Sequence, residues 1–328
     1  MIVVQTPVRI SFVGGGTDFK EYWSKNGGGV ITTAIDKYVF VIIKSRFDDD
    51  ICINYTKRER VTRIDDIQHD LVRETMRKTG VDKKVEITTL ADIPSRGTGL
   101  GSSSSITVAL LHALYSYRGI LVTADRLARE ACEIEIDILG APIGIQDQYI
   151  AAFGGLRHFD FQPDGSVGVD EITISDGDKR RFESNLRLFY LNKTRSANNI
   201  LEEQKAGIQE NKNILDSMRQ IVMPFKNLLQ TGDFDKAGLL LHENWLKKKS
   251  LAPHITNVVI DKYYKQALHA GALGGKISGA GGGGFLLTYC PSSKQDFFLR
   301  EMTAIGLSEL PFKIEKYGSR VIFYQNGN

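Results

Sequence analysis

The chain has no run approaching the roughly eighteen consecutive apolar residues that a membrane-crossing helix needs. Its opening, Met1-Ile2-Val3-Val4-Gln5-Thr6-Pro7, carries neither a basic start nor a sustained apolar stretch, so no secretory leader is expected. Cysteine is scarce. Cys52, Cys132 and Cys290 are odd in number and far apart, which argues against a disulfide framework and suits a reducing, cytoplasmic compartment. No Cys-x-x-Cys occurs, and the histidines never fall at His-x-x-x-His spacing, so there is no zinc signature. Charge of one sign is missing too. A net charge of +3 gives no reason to expect nucleic acid, although a basic cleft for an anionic ligand fits within a near-neutral total. Fixed-period repeats and low-complexity linkers are also absent.

Glycine, by contrast, is plentiful and clustered. The stretch that organises the chain is Ile93-Pro94-Ser95-Arg96-Gly97-Thr98-Gly99-Leu100-Gly101-Ser102-Ser103-Ser104-Ser105. Before it, residues 84–90 carry apolar side chains at 85, 87 and 90 and read as a strand; after it, Ile106, Leu110, Ala113 or Leu114, and Tyr117 recur at helical spacing. Strand, glycine loop and helix start form a natural anion site, because backbone N–H groups approach closely and the helix adds its unpaired donors. The plain alternative is a serine cap on a buried helix.

A length of 328 residues suits two domains at ~150 residues each. Residues 8–13 alternate as a half-buried strand, 30–44 read as one or two strands, and 65–80 as a helix ending at Gly80. Thr123 reads as an N-cap, followed by a helical stripe of Leu127, Ala131, Ile134 and Ile138 with Glu133 and Glu135 at its edge. Gly140-Ala141-Pro142-Ile143-Gly144 breaks that helix and 145–153 begins another. Near residue 185 the texture changes, with a strand at 186–191, long helices to about 248, a glycine cluster at 274–284 and a closing strand at 320–324. The pattern predicts two mixed α/β domains, 1–185 and 186–328, sharing a cleft.

The glycines match no familiar nucleotide fingerprint. Gly-x-x-x-x-Gly-Lys-Ser/Thr is absent, and Gly97-x-Gly99-x-Gly101 is not the Gly-x-Gly-x-x-Gly of dinucleotide folds. Protein-kinase signatures are missing. Three separated elements remain: residues 6–19, with Arg9 and Gly14-Gly15-Gly16-Thr17-Asp18; residues 94–105; and residues 276–285. Together, in this order and separation, they resemble the three motifs of the GHMP kinase superfamily (galacto-, homoserine, mevalonate and phosphomevalonate kinases). The first resembles the sugar-1-kinase branch. Galactokinases carry Glu-His before Thr-Asp where this chain has Gly15-Gly16, which opens room at one end of the sugar. Ser11-Phe12-Val13-Gly14-Gly15-Gly16-Thr17-Asp18 and Gly140-Ala-Pro-Ile-Gly-Ile-Gln-Asp-Gln look like the bacterial D-glycero-D-manno-heptose 7-phosphate kinases, which phosphorylate the anomeric oxygen. Fucokinases share a similar opening, and a binding protein that keeps the fold without the chemistry is the competing class.

The resemblance implies an α+β fold: an N-terminal domain with a left-handed βαβ crossover, then a ferredoxin-like C-terminal domain. It implies ATP and Mg²⁺, with a small sugar or sugar phosphate as acceptor. The ATP phosphates are expected on Gly97, Gly99, Leu100, Gly101, Ser102, Ser103 and Ser104, and the metal on Ser103, or its neighbour Ser104, with Glu135. Asp147 is expected to orient or deprotonate the acceptor hydroxyl, with Arg9 beside it. Gly15, Gly16, Thr17, Asp18, Asp147 and Gly281 are the expected sugar contacts, and Arg195, with Lys193, the expected ligand for a substrate phosphate. Otherwise Glu135 reads as an exposed helix glutamate paired with a basic side chain, Asp147 as an N-cap, Arg9 as solvent-facing, Asp18 as an Asx turn and Arg195 as part of a solvated loop.

Overall fold

The computed structural model describes residues 1–94, 97–191 and 197–325. The first part runs β1 (Ile2–Val13), α1 (Lys20–Asn26), β2 (Gly28–Ser45), β3 (Ile51–Asn54), β4 (Arg58–Val61), α2 (Asp70–Thr79) and β5 (Val85–Ala91). Next come α3 (Ser102–Tyr117), α4 (Ala124–Cys132), α5 (Gln146–Phe153), β6 (Leu156–Phe161), β7 (Val167–Glu171) and α6 (Asp176–Asn185). The second part holds β8 (Leu186–Tyr190), α7 (Ala197–Ala206), α8 (Lys212–Thr231), α9 (Phe234–Lys249), α10 (Val258–His269), β9 (Gly274–Ile277) and β10 (Phe285–Tyr289). It closes with α11 (Gln295–Ala304), β11 (Ser308–Glu309) and β12 (Arg320–Tyr324).

Two sheets organise this α+β fold. One is eight-stranded, ordered β12-β1-β2-β5-β3-β4 with β6 and β7 branching from β2; the other is four-stranded, ordered β11-β8-β10-β9. β2 is a single strand that pairs with β1 along one edge and with two strands along the other, β6 through residues 28–33 and β5 through 39–45. Pro7 lies mid-strand in β1, which a central strand ordinarily refuses because proline cannot donate; the register shifts there, as it does at a bulge. β12 pairs with β1 from Ile2↔Tyr324 to Gln5↔Arg320, so the end of the chain returns to the first sheet. This covers an edge of β1 that would otherwise expose unpaired backbone groups.

α3 packs on β1 and β2 with α4 and α5 on its far side. It is therefore buried around most of its circumference, Leu110 and Leu114 in one apolar cluster and Val108, Leu111 and Tyr115 in another. Thr123 caps α4 by accepting from the Arg126 N–H, as the sequence predicts. The expected stripe then fails at its end. Residues 133–138 are π-helical, with the Leu139 N–H bonded five residues back to Ile134. The wider turn shifts the phase, leaving Ile138 50% exposed and turning Glu135 inward to 2%.

Candidate active site

The loop from β5 to α3 threads Gly97, Gly99 and Gly101 through left-handed backbone, with φ of 74°, 73° and 78°. Gly101, not a serine, occupies the N-cap of α3, and no side chain caps the helix. The serine-cap alternative therefore does not hold, and the first amides of α3 are left for a ligand to satisfy. Leu100 is buried and its carbonyl accepts from the Arg9 N–H at 2.9 Å. Ser105 bonds the Pro7 carbonyl at 2.8 Å, tying the helix start to β1. The buried Ser102 Oγ has no partner among the described residues.

The loop between β9 and β10 lies directly on this one. A Cβ at Gly99 would stand 2.3 Å from the Ser278 carbonyl oxygen, and one at Gly284 would stand 2.4 Å from that of Thr98. Only glycine permits these backbones to meet. Gly281 does something else: its φ is 94° and a Cβ would stand 2.6 Å from the Ile255 carbonyl oxygen, so it packs on the segment before α10. It is Gly279, whose Cβ would stand 2.6 Å from Gly99 Cα, that meets the central loop.

Arg9 and Asp147 come together between the loops. Arg9 Nε and Nη2 donate to the two carboxylate oxygens of Asp147 at 2.7 and 2.6 Å, and Nη1 donates to the Gly99 carbonyl at 2.6 Å. A planar guanidinium forked onto a carboxylate fixes orientation as well as charge. Arg9 is 5% exposed, far from the solvent-facing arginine an alternating strand permits. Asp147 lies in the first turn of α5, but the N-cap is Ile145, so its carboxylate is not spent on capping. A Cβ on Gly101 would stand 3.2 Å from Asp147 Oδ2. The carboxylate thus borders the central loop.

Glu135 stands in the same neighbourhood with neutral partners. Ser103 Oγ donates to Oε1 at 3.2 Å and Gln148 Nε2 to Oε2 at 2.6 Å. Burial pushes its carboxyl up to about 7; the Ser104 and Ser103 hydroxyls and the Gln148 amide draw it partly back, and Asp147 adds repulsion. Glu135 pairs with no lysine or arginine among the described residues, against the alternative reading of an exposed paired glutamate; Glu133 makes such a contact, with Lys78 at 2.6 Å. Among the described residues no cluster of three or more metal-ligating side chains occurs. A hydroxyl beside one buried carboxylate, with the orphaned Ser102 hydroxyl next in the chain, nevertheless suits magnesium, a hard ion that takes few protein oxygens and completes its shell with water and phosphate.

In the first loop, Asp18 is buried; Oδ1 accepts from the Gly16 N–H and Oδ2 from Gln146 Nε2, both at 2.8 Å. Burial raises its carboxyl above the ordinary value, against the pull of these donors and with a further push from Asp147. A Cβ on Gly144 would stand 2.1 Å from Asp18 Oδ2, so the turn before α5 needs glycine to seat it. Thr17 is fully buried and its hydroxyl serves the backbone of Gly14 and Gly29, which makes it the brace of this turn. Gly16 has φ 110° and lies under Leu215. Gly15 faces Ser11 Oγ, Gln146 Nε2 and Lys248 Nζ. Arg195 and Lys193 lie outside the described residues.

Four site residues escape sequence reasoning. Gln146 and Gln148 flank Asp147 and hold Asp18 and Glu135, yet glutamines at a helix start look solvated. Lys248 sits in Lys247-Lys248-Lys249, which reads as an ordinary basic last turn, but it is 5% exposed and donates to the Gly279 carbonyl at 2.6 Å. Lys276 is fully buried in β9 and donates to the Phe12 carbonyl at 3.1 Å. Burial, with repulsion from Lys248 and Arg9, holds its ammonium well below the ordinary 10.5. The only signal for it was a lysine set among glycines.

A glycine-lined anion cradle, a forked aspartate and a buried metal-ready carboxylate define a small-molecule kinase. Residues 67–155 match the model for the GHMP kinases N terminal domain and 225–306 that for the GHMP kinases C terminal, and the chain belongs to this family. It is 29% identical over 311 residues to a D-glycero-alpha-D-manno-heptose 7-phosphate kinase of Campylobacter jejuni, covering 90% of this chain and 91% of the relative. A mevalonate kinase of Thermococcus gammatolerans is 30% identical over 263 residues, covering 77% and 72%. The crystal structure of a D-glycero-D-manno-heptose 1-phosphate kinase from Bacteroides thetaiotaomicron superposes with a TM-score of 0.82 at 24% identity, covering 99% of this chain and all of that one. At that identity the last comparison speaks for the fold.

Proposed function

We propose that the protein is an ATP-dependent sugar kinase that phosphorylates the anomeric hydroxyl of D-glycero-D-manno-heptose 7-phosphate, giving the 1,7-bisphosphate. The chemistry rests on one observation above all, the two-pronged grip of Arg9 on Asp147 beside the central loop. The choice of substrate rests on the similarity to the Campylobacter relative and on Gly15-Gly16 in place of the Glu-His of galactokinases.

In this reading the amides of residues 97–103 hold the ATP phosphates. Asp18 receives a sugar hydroxyl. Asp147 orients the anomeric hydroxyl and takes its proton as the bond from that oxygen to the γ-phosphorus forms and the bond to ADP breaks. Arg9 keeps Asp147 aimed and offers positive charge to the transferred group. Glu135 and Ser103 would hold magnesium, which when bound neutralises phosphate charge. The functional division falls near residue 185, with 320–324 returning to the first sheet. The protein works in the cytoplasm, a setting suited to its three free cysteines. No helix among the described residues is long and apolar enough to cross a membrane.

ADP release measured over heptose 7-phosphate, mannose, fucose and galactose tests the reading. Turnover of the heptose ester far above the three hexoses is expected. Preference for fucose or galactose would replace the substrate, and no turnover of any sugar would favour a binding protein.

A further inference from the structure

The space at Gly15 is built as a seat rather than left over. A Cβ there would make ordinary contacts, 3.6 Å to Ser11 Oγ, 3.7 Å to Gln146 Nε2 and 3.9 Å to Lys248 Nζ, and its backbone is not in the left-handed region. Glycine is therefore not demanded by the turn at this position; what its absent side chain leaves is room bounded by three polar heads. Ser11 is 5% exposed and its hydroxyl has no partner among the described residues. Beside it, the fully buried Asn244 receives the Gly14 N–H on Oδ1 at 3.2 Å while its Nδ2 has no partner among the described residues. Asn244 stands one turn before Lys248 on α9, so both come from one helix face.

Charge points the same way. Lys276 is repelled by Lys248 and Arg9 and attracted by Asp18 and Asp147, and Asp147 is itself taken up by the Arg9 fork. The other, Asp18, is protonated more readily than usual. Of the three heavy atoms nearest a Cβ at Gly15, only Lys248 Nζ belongs to a charged group, and its charge is positive. Buried polar groups such as the Ser11 hydroxyl and the Asn244 amide, which have no partner among the described residues, are costly unless a ligand satisfies them.

The geometry points to Lys248, with the Ser11 hydroxyl, as the seat for the phosphate ester that the sugar already carries, at the end remote from the reacting oxygen. Lys248 then sets specificity for a phosphorylated sugar. Its bond to the Gly279 carbonyl couples an occupied seat to the loop that packs on the ATP cradle. This inference rests on the sugar-phosphate reading above.

The test compares kcat/KM for D-glycero-D-manno-heptose 7-phosphate with that for the unphosphorylated heptose. Wild type is expected to favour the ester by about tenfold or more, and Lys248→Met to cut that ratio by about tenfold to a hundredfold, mostly through the ester's KM. A lysine that only braced the third loop would lower both substrates alike; an unchanged ratio therefore overturns the assignment. Gly15→Asp keeps the lysine and gives it a carboxylate neighbour that fills the seat. The ratio should fall there too, with the melting temperature held, and this variant decides the matter if Lys248→Met does not fold. A ratio preserved in Gly15→Asp would overturn the seat. Failure of the sugar-phosphate reading looks different, because wild type itself would then show no preference for the ester.

Discussion

Asp147 and Glu135 both border the central loop and its helix, yet among the described residues one is gripped by an arginine and the other by hydroxyls and an amide alone. Asp147 is 20% exposed on its side chain and aimed by a fork it cannot leave without breaking two bonds. Glu135 is buried beside neutral donors, so its charge costs more and its carboxyl rises to about 7. The difference teaches a division of labour. On the function proposed above, the arginine-paired carboxylate orients the acceptor, and the buried one, with no cation among its described partners, would receive magnesium.

The sharpest way to break this contrast is Asp147→Asn. It should lower kcat about a thousandfold while leaving nucleotide affinity, measured by equilibrium binding, almost unmoved. Comparable turnover would strip Asp147 of its role. Arg9→Lys comes next: charge is kept but the fork is lost, and a misaimed aspartate should cost about a hundredfold in kcat. Glu135→Gln should act on the other arm, raising the magnesium concentration for half-maximal rate by about tenfold or more. Its stability signature is equally specific. A carboxyl raised in the folded state binds its proton more tightly than in the unfolded chain, so metal-free wild type should lose stability as pH rises from about 4.5 to about 7. That loss is on the order of 3 kcal/mol, and denaturant titrations of the glutamine variant should not show it.

Lys276 extends the comparison to a cation held chiefly by a backbone carbonyl. Its depressed pKa means the unfolded chain binds more protons below the ordinary 10.5, so folded stability should rise with pH toward that value. Lys276→Met should flatten this slope and leave stability at neutral pH equal or about 1 kcal/mol higher. A marked destabilisation would mean the ammonium is well compensated where it lies.

Much of the scaffold is legible in sequence because it obeys simple periods. The strand before Gly97, the helix after it and the Thr123 cap all follow from local pattern and chemistry. That Arg9 meets Asp147 and Ser103 meets Glu135 agrees with the neighbourhoods that motif order implies. What escaped depended on long-range packing. The π-turn at 133–138 changes the helical phase, so neither the exposure of Ile138 nor the inward turn of Glu135 follows from a 3.6-residue stripe. Gly281 belongs to a run of four glycines whose members differ only in what lies opposite them. Lys248 looks like any basic helix end until α9 is placed against the third loop. The return of β12 to β1 joins residues more than three hundred apart, beyond any local signal.

The central claim is that these groups transfer a phosphoryl group to the anomeric oxygen of a heptose ester. Phosphorus NMR of the product formed from ATP and D-glycero-D-manno-heptose 7-phosphate tests it most directly. A second phosphate signal coupled to the anomeric proton, present with wild type and lost with Asp147→Asn, is the expected result. A phosphate on any other carbon, or ATP consumed with no new sugar ester, would contradict it.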